Sequence, residues 1–170
     1  MCGIAGFWTD RPAGREAASS VAQAMATRLA HRGPDGEGRY LDEHIALGHR
    51  RLAIIDPGPA ADQPMTSADG RLVLVFNGEV YNHVELAREL AAAGCRFRTR
   101  CDTEVVLHAY ATWGDDCVRR FNGMWAFALW DRERRRLLCS RDRLGVKPFV
   151  HTTCQGRWWF SSEAPGLRAV

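Results

Sequence analysis

A cysteine stands directly behind the initiator methionine, at position 2, where one residue can supply both a nucleophile and a base. Removal of Met1 would leave Cys2 with a free α-amine beside its own thiol. An α-amine ordinarily titrates at a pKa of about 7.7–8.0 and a thiol at about 8.5, so the amine can accept the thiol proton near neutral pH. The pair is the cysteine counterpart of a threonine activated by its own N-terminal amine. The alternative is a cysteine that follows the initiator methionine by chance.

Cys2 belongs to the first of eight short motifs along the chain. In order they are MCGIAGFW (1–8), HRGPDGEG (31–38), LGHRRLAIID (47–56), LVFNGEVYNH (74–83), CDTEVVL (101–107), NGMWAFALWD (122–131), RDRLGVKP (141–148) and SSEA (161–164). The series resembles the glutamine-hydrolysing domain of the class II amidotransferases, most closely that of the asparagine synthetases, from residue 2 to about residue 164. The resemblance implies an N-terminal-nucleophile hydrolase with an α+β fold, a four-layer αββα sandwich.

An amide hydrolase that works through a thiol must stabilise a tetrahedral oxyanion, which side-chain amides and backbone N–H groups do well. The resemblance assigns this task to the Asn77 side chain and the Gly78 N–H. The alternative is that Asn-Gly only closes a tight turn. Both can hold, because a tight turn can also point an N–H outward.

The amino-acid end of a glutamine substrate carries an α-carboxylate and an α-ammonium. The resemblance implies that Arg51 binds the carboxylate, since a guanidinium can form two parallel hydrogen bonds to it. It implies that Asp102 binds the ammonium, with Glu79 and the Gly78 carbonyl nearby. The alternatives are a solvated surface arginine and a carboxylate that caps the N-terminus of a helix.

The first part of the chain must place these residues on strands around one helix. Residues 2–8 are short, apolar and typical of a strand, and the apolar spacing of residues 16–30 predicts a helix. Short strands are predicted at 38–41, 45–49 and 52–55. Prolines predict a loop over 56–64.

The second part alternates helices with further strands. A hairpin is predicted from strand 72–76, the Asn77-Gly78 turn and residues 79–81. Asn82 with Glu85 resembles a capping box for a helix that ends at Gly94, and another helix is predicted after Asp102. Strands follow at 124–131, 136–141, 147–153 and 157–162, and the arginine-rich residues 132–136 are predicted to form a solvated hairpin.

Composition excludes several classes of protein. Hydrophobic residues make up 46% and charged residues 25% of the chain, which is typical of a globular domain rather than a disordered or fibrous protein. The longest apolar run, MWAFALW (124–130), is far shorter than the ~20 residues of a membrane helix. No secretory signal is visible, which predicts a cytoplasmic protein with reduced thiols. A net charge of +3 is too small to indicate nucleic-acid binding.

The cysteines and histidines predict no metal site. The six cysteines lack C-x-x-C spacing, and the histidines show no H-x-x-x-H pattern. One cysteine, Cys101, precedes Asp102 where the family usually has serine or glycine, which predicts a second thiol near the site.

Residues 1–170 are therefore interpreted as one glutaminase domain that hydrolyses L-glutamine and supplies ammonia to an asparagine-synthetase-like, amide-forming reaction. The phosphate loop of a synthetase domain is absent from this sequence, so ATP and magnesium are expected only in such a partner, in cis or in trans, and no cofactor is expected here. A homo-oligomer is possible, and the arginine bias suggests a GC-rich bacterial genome. Two alternatives stay open: a non-catalytic structural or regulatory domain of the same fold, and a hydrolase of another amide.

Overall fold

The computed structural model describes residues 1–54, 56 and 58–169, which form two stacked antiparallel sheets. The strands are β1 (Gly3–Thr9), β2 (Gly36–Leu41), β3 (Ile45–Arg51), β4 (Met65–Thr66), β5 (Leu72–Val80), β6 (Gly123–Asp131), β7 (Arg136–Arg141), β8 (Val150–Cys154) and β9 (Arg157–Ser161). The helices are α1 (Arg15–Thr27), α2 (His83–Ala92), α3 (Asp102–Trp113), α4 (Cys117–Arg120) and α5 (Ala164–Leu167). Sheet one has the order β2-β3-β1-β9-β8, and sheet two has the order β4-β5-β6-β7.

Alternation of apolar side chains along the strands builds a core of three layers. Ile4 of β1 and Val75 of β5 lie between the sheets. Phe7, on the opposite face of β1, packs with Met25 of α1 on the outside of sheet one. The outside of sheet two packs on α2 and α3, where Val106 is fully buried. Each such side chain contributes roughly 1.5–3 kcal/mol when it leaves water, and the resulting order of layers is the predicted αββα.

Residues 72–81 differ from the predicted hairpin. β5 runs unbroken through Asn77 and Gly78, which pair with Ala126 and Trp125 of β6. Nine consecutive partners on β6 outweigh the turn preference of Asn-Gly. The turn prediction is therefore wrong, and both residues lie within a central strand.

Several element ends also differ. The Asn82 side chain does not form the predicted capping box but bonds the Arg120 carbonyl and the Asn122 N–H, both at 2.9 Å. The helix after residue 101 has Cys101 as its N-cap and Asp102 as its first residue, so the N-cap alternative for Asp102 is wrong.

Further differences lie in the segment after β3, and the strand predicted at 147–153 begins only at Val150. Residues 52–54 follow β3 without forming the predicted strand, and Ile55 lies outside the described residues. The predicted loop contains a short 3₁₀ helix, Pro59–Ala61, and Pro57 is likewise not described. Within the described part of the chain, no helix is long and apolar enough to cross a membrane.

Candidate active site

One cleft brings together all the residues that the sequence singled out. It opens where the start of β1, the end of β3 and the second half of β5 meet the N-terminus of α3. The predicted site residues that line it are Cys2, Arg51, Asn77, Gly78, Glu79 and Asp102. The roles assigned to them remain predictions, but their convergence is a feature of the fold.

Cys2 lies just before β1, with its side chain partly buried. Its Sγ accepts a hydrogen bond from the Leu52 N–H at 3.4 Å and lies 3.7 Å from the Leu52 carbonyl oxygen. Met1 lines the same cleft, and its Sδ accepts a hydrogen bond from Lys147 Nζ at 3.5 Å. With Met1 attached, the nitrogen of Cys2 is an amide that cannot act as a base.

Asn77 lies in β5 on the face that looks toward sheet one, because Val73 and Val75 on the same face pack between the sheets. The residue is only 2% exposed. The Nδ2 atom is buried and has no hydrogen-bond partner within the described part of the chain. Buried polar groups are nearly always bonded, so an unpaired amide donor that faces a cleft marks a position for a ligand atom.

The backbone of Gly78 is directed into the cleft by the strand itself. The Phe76 N–H donates to Gln63 Oε1 at 2.6 Å, and the Val80 N–H donates to Asp102 Oδ2 at 2.9 Å. N–H groups two residues apart on a strand point to the same edge. The Gly78 N–H therefore points between these two acceptors, away from β6. A Cβ at this position would collide with the Met124 carbonyl oxygen.

Arg51 ends β3 with its guanidinium almost buried. Nη1 donates to Asp62 Oδ1 at 2.6 Å and to the Gly58 carbonyl at 3.1 Å, and Nη2 donates to the Asp56 carbonyl at 2.6 Å. The arginine is thus held by the following loop rather than solvated, so the surface-arginine alternative is wrong.

Asp102 is a nearly buried carboxyl group at the opposite side of the cleft. Burial raises the pKa of Asp102, and the nearby charge of Glu79 adds to the rise, while the bond from the Val80 N–H and the charge of His83 oppose it. A buried carboxyl group with a raised pKa gains most from a cationic ligand, which restores its charged form. This end of the cleft therefore suits an ammonium group.

Two residues that line the cleft, Lys147 and Gln63, and one behind its wall, His49, were given no role from the sequence. Lys147, the only lysine, is buried and lines the cleft beside Met1. His49 is fully buried; burial lowers its pKa to about 3, and the charge of Arg51 contributes, so the imidazole is neutral. Gln63 joins β5 to α3, since its Nε2 donates to Thr103 Oγ1 at 3.3 Å. His49 and Lys147 stand in quoted motifs, but nothing in those motifs assigns them a role, and Thr103, the partner of Gln63, lies 40 residues further along the chain.

The remaining sequence predictions concern thiols and metals. Cys101 lies in the cleft wall, as predicted, and burial raises the pKa of its thiol. All six cysteines are free. Among the residues that the structure describes, no group of three or more His, Cys, Asp or Glu side chains is arranged to hold a metal ion.

Comparison with known proteins agrees with this arrangement. A family model described as a glutamine amidotransferase domain matches residues 1–170. The chain belongs to this family. The amidotransferase domain is 40% identical to asparagine synthetase [glutamine-hydrolyzing] 3 of Bacillus subtilis, over 99% of this chain and 28% of that protein. It is 39% identical to a putative asparagine synthetase [glutamine-hydrolyzing] 2 of Methanocaldococcus jannaschii, over 100% of this chain and 35% of that protein. The chain thus spans about a third or less of these relatives.

Solved structures show the same fold. Glutamine phosphoribosylpyrophosphate amidotransferase from B. subtilis, complexed with ADP and GMP, superposes with a TM-score of 0.83 over 99% of this chain and 43% of that chain, at 21% identity. Together with the αββα layers, this likeness confirms the predicted N-terminal-nucleophile hydrolase fold.

Proposed function

We propose that this amidotransferase domain hydrolyses L-glutamine to L-glutamate and ammonia through a thioester on Cys2. The observation that carries the proposal is the buried Asn77 amide donor, unpaired within the described part of the chain, in the cleft that also holds Cys2. A donor kept unpaired in this way has a clear use when an oxyanion forms beside a nucleophile.

The reaction begins after Met1 is removed. The α-amine of Cys2 accepts the thiol proton, and the thiolate attacks the side-chain amide carbon of glutamine. The Asn77 side chain and the Gly78 N–H stabilise the oxyanion. The C–N bond then breaks, ammonia leaves with the proton from the amine, and a γ-glutamyl thioester remains. Water, deprotonated by the same amine, hydrolyses the thioester and regenerates the thiol.

Arg51 and Asp102 would hold the amino-acid end of the substrate, with Glu79 beside Asp102. The Asp62 side chain that bonds Arg51 is 61% exposed, so it can turn into solvent when a substrate carboxylate arrives. An exchange of one carboxylate for another keeps the Arg51 charge paired throughout. The contacts between Arg51 and the loop after β3 would then change when substrate binds.

The ammonia would serve an amide-forming synthetase domain, in cis or in trans, as the names of the asparagine synthetase relatives suggest. In this view ATP and magnesium act only in that partner, and this domain needs no cofactor. A cytoplasmic, bacterial setting fits the same proposal, and a homo-oligomer stays a prediction.

Intact mass of the untagged protein, before and after treatment with a diazo-ketone analogue of glutamine, tests the proposal. We expect loss of Met1, a single adduct that maps to Cys2, and glutamate release that the analogue abolishes. Cys2→Ser should remove the adduct and the activity, whereas Cys154→Ser, at an exposed cysteine, should change neither. A protein that has lost Met1 yet forms no adduct and releases no glutamate would support the non-catalytic alternative instead.

A further inference from the structure

Two motifs that the proposed reaction does not use meet beside the nucleophile. His31 and Arg32 belong to the HRGPD motif and lie in a short 3₁₀ helix, Ala30–Arg32. Glu163 belongs to the SSEA motif and is the N-cap residue of α5. Although 131 residues separate Arg32 from Glu163, their side chains form an ion pair.

The contacts form a chain that ends on the main chain of Cys2. Arg32 Nε donates to the Cys2 carbonyl at 2.9 Å, and Arg32 Nη1 donates to Glu163 Oε1 at 2.5 Å. The second carboxylate oxygen, Oε2, lies 3.0 Å from His31 Nε2. The hydrogen bond to Arg32 lowers the pKa of Glu163, so this carboxylate is ionised at neutral pH.

The same segment also fixes the strand that follows the nucleophile. The Ile4 N–H donates to Ser162 Oγ at 3.0 Å, and the Ser162 N–H donates to the Ile4 carbonyl at 2.8 Å. Cys2 itself precedes β1 and becomes the chain terminus once Met1 is removed. A chain terminus is poorly ordered unless it is tied down, and the Arg32 contact ties down this one.

Arg32 differs from an arginine that serves only the fold. Its side chain is 5% exposed, and its Nη2 is buried without a hydrogen-bond partner within the described part of the chain. A purely structural guanidinium is better satisfied at such burial. Its guanidinium also bonds the carbonyl of Cys2, the residue that would carry the α-amine.

We propose that Glu163 is a positioning residue for the glutaminase reaction: through Arg32 it holds the main chain of Cys2 so that the thiol and the α-amine face the cleft. His31 supports the same carboxylate from its other oxygen. This inference rests on the proposed function and deepens it.

Substitution of Glu163 has two separable consequences. The first is geometric: a loosened Cys2 lowers kcat for glutamine hydrolysis roughly 10- to 100-fold, with little change in KM because Arg51 and Asp102 are untouched. The second is electrostatic: Glu163→Gln removes the anion that offsets Arg32, so the net positive charge near the amine rises. A nearby positive charge disfavours the protonated amine, so the acidic limb of the kcat/KM profile moves to lower pH.

Glu37→Gln is the matched control. Glu37 pairs with Arg50 at the same 2.5 Å, and the two carboxylates are similarly exposed, 26% for Glu37 and 30% for Glu163. Arg50 also donates to a backbone carbonyl, that of Gly33, but the pair does not touch Cys2. Both variants should lose stability in thermal unfolding, Glu163→Gln more so because Arg32 is 5% exposed and Arg50 is 17% exposed. Only Glu163→Gln should lose kcat and shift the pH profile. Glu163→Asp keeps the charge but shortens the side chain, so it should restore the pH profile of kcat/KM more fully than it restores kcat. Equal kcat values for Glu163→Gln and Glu37→Gln in a well-folded protein would overturn the inference.

A second readout does not depend on turnover. The rate at which iodoacetamide alkylates Cys2 across pH, measured by peptide mass with Cys154 as internal reference, should change in Glu163→Gln and not in Glu37→Gln. A wild-type protein without glutaminase activity would refute the proposed function. The alkylation profiles would still decide whether Glu163 positions Cys2, because identical profiles in the two variants contradict it.

Discussion

Replacing Asn77 with alanine should separate catalysis from stability in this domain. The Nδ2 atom is buried and unpaired within the described residues, so its desolvation already destabilises the folded chain. An unsatisfied buried polar group costs about 1–3 kcal/mol, and the variant is relieved of it. Loss of the small amide packing offsets part of this gain. We therefore expect a free energy of unfolding that is unchanged or higher by about 1–2 kcal/mol.

Catalysis should respond in the opposite direction. Removal of one oxyanion donor typically lowers kcat by about 10²–10³-fold, or about 2.7–4 kcal/mol of transition-state stabilisation. KM for glutamine should stay within a few-fold, because Arg51 and Asp102 hold the amino-acid end. Initial rates of glutamate release and urea unfolding of the same preparations measure the two effects.

Asn82→Ala is the matched control. The Asn82 amide is bonded on both sides, to the Arg120 carbonyl and from the Asn122 N–H, so its loss should lower stability by about 1–2 kcal/mol and leave kcat unchanged. The reasoning fails if Asn77→Ala loses stability as Asn82→Ala does, or if it keeps wild-type kcat. Either result would mean that Asn77 is an ordinary structural amide.

Three further predictions follow from burial. Asp102→Asn should raise KM for glutamine by about 10- to 100-fold, and wild-type KM should rise as the pH falls through the raised pKa of Asp102, above the range of an ordinary aspartate. His49 stays neutral when folded, so its contribution to the free energy of unfolding is complete above pH 6.5 and is lost as the pH falls toward 3. The free energy of unfolding should fall by about 5 kcal/mol over that range. Urea unfolding of His49→Gln should depend less on pH there. Gly78→Ala should lose about 1–3 kcal/mol and most activity, because its Cβ meets the Met124 carbonyl, whereas Gly14→Ala, with open space around its Cβ, should unfold and react as wild type.

The sequence predicted which residues share the site better than it predicted how they face one another. Motif resemblance identified Asn77 and Gly78, and local turn preference then placed them in a hairpin. Their directions depend instead on pairing with Ala126 and Trp125, about 50 residues later, which keeps β5 straight. Long-range strand pairing outweighed the short-range turn preference of Asn-Gly, and the relative strength of these two effects cannot be read from a single sequence.

Contacts between side chains that are far apart in the sequence could not be predicted either. Arg51 was expected to be either a substrate ligand or a solvated residue, and its bond to Asp62 depends on a loop whose path the prolines alone do not determine. The HRGPD motif gains a role only in the fold, where Arg32 contacts both Cys2 and Glu163. The distribution of apolar residues, by contrast, predicted α1 and most strands to within a few residues, because the helix buries one face and the central strands bury both.

Met1 blocks both the base of the proposed reaction and part of the cleft. Its backbone converts the nitrogen of Cys2 into an amide, and its side chain lies in the mouth of the cleft with Sδ against Lys147. Removal of this one residue would therefore free the base and clear the cleft in the same step, and it would expose a buried lysine beside the nucleophile. A surface used only for binding gains nothing from a free amine at Cys2. Dependence of both glutaminase activity and Cys2 labelling on loss of Met1 thus separates the catalytic function from the structural alternative.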